Sequence, residues 1–389
     1  MHTGHKIEEI QVLRVIAVLL VVVFHAQFDL TGTINPHLNS FYAYFGGDAG
    51  VDLFFVISGY VIARGLIPSL NSTPCRAEQK NILLTFWIKR FFRLIPSAWF
   101  WLLFTLFCTR FFNESGAFGH FRAAYEGTLA AILNVANVRF MECFGKFECG
   151  PTFVYWSLSL EEQFYLILPI LALLARRYIT TVLIFLIISQ IPETTSVLPG
   201  FRFTGLALGV LIAIFTKNDN YKWLEPTGLA KMRWLALSIF AFLLLILATI
   251  LGSGLNVVTG TLKYDLISLP AALLVLLASY DRGYLIPPSA IRGLLVWIGE
   301  RSCAIYLTHI PAYYLVREFL HDTSISSGDL SQRWIVHAAL SGALILIFSE
   351  LSFRFIEVPL QRKGMEWIKQ RKLRTAVSES EVRNVQQNS

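Results

Sequence analysis

The sequence predicts an all-α polytopic membrane protein with about ten transmembrane helices and both termini in the cytoplasm. Three observations carry that prediction. The 389 residues are 55% hydrophobic and only 15% charged, where a soluble chain carries roughly 25% charged residues. The apolar residues fall in long runs separated by short polar segments. Most of the 33 Lys and Arg residues flank those runs on the side that holds both termini, which is the positive-inside asymmetry. That asymmetry accounts for the net charge of +7 without a nucleic-acid partner. No cleavable signal peptide is evident, because no small-residue cleavage site follows the first apolar run.

Taken in order, the first helix is Gln11 to Phe28, QVLRVIAVLLVVVFHAQF. Two polar residues interrupt it, Arg14 and His25. A separation of eleven residues is three turns plus ~20°, so both side chains share one face, roughly 16 Å apart along the axis. Ionisable groups inside a membrane segment are costly, so the pair either marks a functional site facing the bundle interior or snorkels to opposite interfaces. The loop Asp29 to Gly47 is extracytoplasmic. The second helix, GVDLFFVISGYVIARGL, returns to the cytoplasm near Leu66. Asp52 lies at its outer start, where it can cap the helix or orient His25. Ser58 and Gly59 lie mid-way along it, and Gly59 permits close helix approach.

The third helix opens with FWIKRFFRLIP, and Pro96 predicts a kink or a broken start. Arg90 and Arg93 are three apart and therefore neighbours on one face. Guanidinium groups so placed suit phosphate recognition. The segment Asn113 to Thr152 is extracytoplasmic, with an interfacial or re-entrant helix in TLAAILNVANV. Cys143 and Cys149 fall in it, and a disulfide between them is one of two open outcomes.

The fourth span, FVYWSLSLEEQFYLILPILALLA, buries Glu161 and Glu162 in an apolar run, where a carboxylate must pair, line water or be protonated. Glu161 can pair with His25 or with an arginine. Trp156 and Tyr165 can stack on a sugar ring or form an interface belt. The remaining spans are Ile179 to Ile191, Gly200 to Phe215, Trp234 to Leu251, Asp265 to Ser279, Leu294 to Val316, and Ile335 to Ile356. His309, mid-way along the ninth, reads as a satisfied interior histidine. Residues 1–360 form the membrane domain, and 361–389 a charged, disordered cytoplasmic tail. No HExxH, Cys/His cluster, P-loop or GxSxG is present, so no metal site is expected.

Arg14-x10-His25, GVDLFFVISGY, KRFFRLIP and WSLSLEEQFYLILP, in this order, resemble the acyltransferase 3 family of integral membrane acyltransferases. The resemblance covers roughly residues 8–360. It implies a ten-helix domain that moves an acyl group, often acetyl, from cytoplasmic acyl-CoA to a hydroxyl of a sugar or other acceptor. Such acceptors include O-antigen, exopolysaccharide, Nod factors, peptidoglycan and some macrolides. It implies His25 as the catalytic residue and Glu161 as the acidic residue of the fourth-helix motif; on these residues His25 is read as general base, oriented by Glu161 or Asp52, with an acyl-histidine intermediate as the alternative. Arg14, Arg90, Arg93 and Ser58 fall on the donor side, toward the phosphates of acyl-CoA. Some relatives carry an added extracytoplasmic hydrolase-like domain; the present chain is expected to handle its acceptor with the membrane domain alone. The expected location is the bacterial inner membrane. The rival readings are a flippase for a lipid-linked glycan, an enzyme acting on a small molecule such as a macrolide, and a non-catalytic membrane scaffold.

Overall fold

The computed structural model describes residues 6–73, 75–190, 201–252, 254, 262–321, 323 and 330–387. Among them every regular element is helical. The sixth and fifth spans expected from sequence reach Gly200 and Ile191, which lie outside the described residues.

Helix α1 (Glu8–Ala26) forms from an apolar run without Gly or Pro and buries one face against the bundle. His25 is its penultimate residue, so it stands at the C-terminal end of the helix. A short α2 (Asn39–Tyr44) precedes α3 (Ala49–Asn71). Then α4 (Arg76–Phe111) runs unbroken through Pro96, so the broken start anticipated there is absent. The segment after α4 folds as α5 (Phe121–Ile132) and α6 (Ala136–Cys143), joined where Asn134 takes a positive φ of 56°. A disulfide joins Cys143 to Cys149.

Helix α7 (Tyr155–Ala175) ends at Arg176, whose φ of 28° breaks the path before α8 (Ile179–Gln190). Next come α9 (Thr204–Phe215), the short α10 (Asp219–Trp223) and α11 (Thr227–Lys231), then α12 (Arg233–Thr249) and α13 (Leu262–Ser279). Glycine sets the contact between α3 and α9. A Cβ on Gly59 would lie 2.1 Å from the Leu206 carbonyl oxygen, and one on Gly209 would lie 2.1 Å from that of Val56. Backbones this close leave no room for any side chain.

The ninth span expected from sequence is two helices, α14 (Ala290–Glu300) and α15 (Ser302–Leu320). The break has a physical cause. Gly299 is pressed against α1, where a Cβ would sit 2.2 Å from the Gln11 carbonyl oxygen. Arg301 then turns to an ion pair with Glu350, 2.5 Å away, under the rings of Trp297 and Phe353. Helix α16 (Leu330–Ser352) passes through a π-helical turn, Phe353–Glu357, into α17 (Val358–Gln387). The charged segment after Gln361 continues in α17 as far as Gln387. Its Lys, Arg, Glu and Gln are good helix formers, and Gly364 and Ile368 seat it, Gly364 against Phe92 of α4.

Among the described residues, six helices are long and apolar enough to cross a membrane, or seven if the bent pair Asp219–Leu229 and Arg233–Thr249 is one span. This is fewer than the ten anticipated, for two reasons. Helices α8 and α9 have 12 residues each, too short to cross alone. Helix α15 has 19 residues but carries Tyr306, Thr308, His309, Tyr313 and Tyr314, all buried. It is surrounded by protein, so its side chains need not match lipid.

Candidate active site

The site is built on the inner faces of α1, α3, α4, α7 and α15. A cavity of about 80 Å³ lies among them, lined by Arg14, Ser58, Arg90, Arg93, Glu161 and Tyr165, with Ser157, Ser302, Cys303 and Tyr306. It meets a wider mouth of about 910 Å³ at Arg14, Val61, Arg93, Ser302 and Cys303. The mouth adds Lys6, Arg64 and Lys217 against Glu300 and Glu357. The joined space is thus basic at its open end and narrow and mixed at its inner end.

Five of the seven residues singled out from sequence meet in this one cavity: Arg14, Ser58, Arg90, Arg93 and Glu161. They come from four helices far apart in the chain. Arg14 donates to Gln11 Oε1 at 3.3 Å. Arg90 lies between the rings of Phe86 and Tyr165, 5.7 Å from each centroid. Glu161 accepts from the Ser58 hydroxyl at 2.5 Å and from the Tyr165 hydroxyl at 3.4 Å.

The other two are placed differently. Asp52 is buried and ion-paired to Arg202 at 3.0 Å. Arg202 sits over the rings of Tyr264 and Trp156, at 4.1 and 5.1 Å. Trp156 also stacks on Phe140. Asp52 therefore anchors the start of α9 and does not orient His25. Glu161 does not orient it either. It lies six residues along α7 from Tyr155, roughly 9 Å inward, whereas His25 touches Phe153, just before that helix begins.

The partner of His25 is His309. The Nδ1 of His25 lies 3.0 Å from the Nε2 of His309, and the rings stack with centroids 5.1 Å apart. His309 is 0% exposed, and its Nδ1 is 2.6 Å from the Tyr306 carbonyl oxygen. So the interior histidine read as merely satisfied is satisfied by the other membrane histidine. Two histidines in separate apolar runs were the available signal. Spacing along the chain could not pair them, because 284 residues intervene. Arg202 and Tyr306 carried no such signal.

Tyr306 connects the two halves of the site. Its ring lines the cavity, while its carbonyl holds His309. Neither histidine lines the cavity; the Tyr306 side chain and Ser157 stand at its inner end.

A half-buried arginine cluster in one cavity, with a histidine pair beyond it, suits an anionic ligand and a proton-accepting base. The chain belongs to the acyltransferase domain family (acyltransferase 3), whose model matches residues 7–352. It is 28% identical over 376 residues to the peptidoglycan O-acetyltransferase OatA of Listeria monocytogenes, a match covering 90% of this chain and 55% of that protein. It is 29% identical over 361 residues to the O-acetyltransferase OatA of Staphylococcus aureus, covering 87% and 56%. The chain spans about half the length of these curated relatives. No solved structure matches it significantly.

Proposed function

We propose that the chain is a membrane O-acetyltransferase that moves an acetyl group from acetyl-CoA to a hydroxyl of a glycan. The observation that carries this reading is the single cavity in which Arg14, Arg90 and Arg93 converge on Ser58 and Glu161. Three guanidinium groups suit the phosphates of the donor. Ser58, Glu161 and Tyr165 offer hydrogen-bonding partners to the amides of its pantetheine arm. The family membership and the names of the relatives supply the transfer class.

The mouth lies at the end of the bundle that carries Lys6, Arg64, Lys217 and Gln361. We assign that end to the cytoplasm, together with both termini. The opposite end carries His25, Phe153 and the Cys143–Cys149 disulfide, which suits an oxidising extracytoplasmic compartment. The donor enters from the cytoplasm and the acceptor from outside, across the cytoplasmic membrane of a bacterium.

His25 acts as general base. It takes the proton of the acceptor hydroxyl as that oxygen bonds to the thioester carbonyl carbon. The carbon–sulfur bond breaks, and the departing sulfur takes the proton back from His25. The products are the O-acetyl ester and free CoA. Arg90 and Arg93 hold the donor, and Glu161 holds the arm through Ser58. Peptidoglycan, named for the Listeria relative, becomes the first acceptor to test, ahead of lipopolysaccharide and exopolysaccharide.

The test uses the full chain in lipid nanodiscs with radiolabelled acetyl-CoA and glycan extracts, peptidoglycan first, beside a His25→Ala control. Label reaching a glycan only with the unaltered protein supports the reading. Transfer by His25→Ala at a near-normal rate removes the base, and failure to bind acetyl-CoA removes the donor.

A further inference from the structure

The contacts of His309 determine which nitrogen of His25 is free. The Nδ1 of His309 faces the Tyr306 carbonyl oxygen at 2.6 Å. A carbonyl only accepts, so that nitrogen carries the hydrogen. The ring is 0% exposed and packs against Tyr306 and Tyr313, a setting in which an unpaired charge is costly. A neutral ring protonated at Nδ1 presents a lone pair at Nε2. The Nδ1 of His25, 3.0 Å away, is therefore the donor to it. Its own hydrogen thus committed, His25 is left with an unprotonated Nε2.

We propose that His309 is the positioning residue that fixes the tautomer and ring plane of His25, so that His25 Nε2 is the proton acceptor. The inference rests on the reading of His25 as general base. The relay is a chain of hydrogen bonds from His25 Nδ1–H to His309 Nε2, and from His309 Nδ1–H to the Tyr306 carbonyl. When His25 Nε2 takes the hydroxyl proton, the Nδ1–H bond to His309 remains and strengthens, because the donor ring is now cationic. His309 needs no proton of its own to change place. The rings of Phe24 and Phe153, edge-on at 5.6 and 5.3 Å, limit rotation of the His25 ring. Without His309 the Nδ1 hydrogen has no fixed acceptor, and the two tautomers of His25 compete.

Because Tyr306 also lines the donor cavity, the last link of the relay is attached to the wall of that cavity. The reactive nitrogen is thereby held in register with the cavity's inner end by one residue of backbone.

The experiment compares His309→Leu with His309→Gln, beside His25→Ala, in the nanodisc transfer assay. Leucine fills space but accepts nothing; the glutamine Oε1 can accept the Nδ1–H of His25. The expected result is a fall in kcat of about 100-fold for His309→Leu, with the KM for acetyl-CoA within threefold of the unaltered protein. His309→Gln should recover at least about tenfold of that loss. Melting temperatures of both variants report whether the fold survives, and His309→Met replaces His309→Leu if it does not. A His309→Leu protein that folds and turns over within threefold of normal overturns the inference. So does a folded His309→Gln protein as slow as His309→Leu, because packing alone would then explain the loss. If His25→Ala itself stays active, the failure belongs to the assignment of the base and not to His309.

Discussion

The hydroxyls of Ser157 and Tyr306 lie 2.7 Å apart at the inner end of the cavity. Both hydroxyls also reach the Val154 carbonyl, Tyr306 at 2.9 Å and Ser157 at 3.4 Å, so the three groups share two hydrogens. The pair ties α15 to the start of α7 where both are buried. In Tyr306→Phe the ring remains, but the Ser157 hydroxyl and the Val154 carbonyl lose this partner. We expect a loss of about 1–3 kcal/mol, read as a lower melting temperature in detergent. An unchanged melting temperature would show that water replaces the hydroxyl.

Arg90 and Arg93 act on the donor in the proposed function. Arg90→Ala combined with Arg93→Ala should raise the KM for acetyl-CoA by at least about tenfold, from losing charge-assisted hydrogen bonds worth about 1.5–3 kcal/mol each. The kcat should change less. Arg90→Lys should recover little, because Arg90 lies between two rings and an ammonium group does not stack as a guanidinium does. An unchanged KM in the double variant would remove the phosphate clamp.

Asp52 and Arg202 form a buried pair, with side chains 2% and 13% exposed. Asp52→Ala removes this ion pair but leaves Arg202 close to Asp48 and Asp265, so it should cost about 1–3 kcal/mol. Arg202→Leu should cost more than Asp52→Ala, because it removes the cation that Asp48, Asp52 and Asp265 share. Thermal melting separates the cases. If Asp52→Ala melts normally yet loses turnover, Asp52 belongs with the chemistry and not with the anchoring of α9.

Gly59 faces the Leu206 carbonyl with no room for a methyl group. Gly59→Ala should force α3 and α9 apart and cost about 1–3 kcal/mol or more. Yield of folded protein after detergent extraction reads this directly; normal yield would mean that the two helices slide without loss.

Asp29, beyond the end of α1, titrates in a window that can be measured. Burial raises its pKa to about 6 from 3.8, against the lowering effects of the Tyr314 hydroxyl, 2.7 Å away, and of Arg317. The folded form therefore holds this proton more tightly than the unfolded chain. Its contribution to stability is full below pH 4 and is lost as pH rises to about 6, at no more than about 1.4 kcal/mol per pH unit. Asp29→Asn should flatten that slope and stabilise the protein at neutral pH. A melting temperature equally pH-dependent in both proteins would assign the slope to another group.

Much of the arginine-lined cavity was legible in the chain. Arg14, Arg90, Arg93 and Glu161 stand out because charge in an apolar run has no solvent to excuse it. The helical character of the described residues, the start of α3 and the end of α7 follow from hydropathy and length, whereas α3 runs on to Asn71, past the end near Leu66 expected from sequence. Residues whose role depends on what lies across the bundle were not legible. Asp52 looked like a candidate for His25 because both stand near the outer surface. Depth is one coordinate of three, and Arg202 occupies the direction that depth leaves open.

By itself the sequence determined the membrane class, the family, and the group of arginines with Glu161, because solvation cost attaches to each residue wherever its neighbours lie. Only the tertiary structure decided the partners. It paired His25 with His309 across 284 residues, gave Asp52 to Arg202, divided the ninth span at Arg301, and enclosed the polar α15 in protein. Hydrogen bonds and ion pairs act over about 3 Å. Which groups come that close is set by how helices cross, and no spacing along one helix records it.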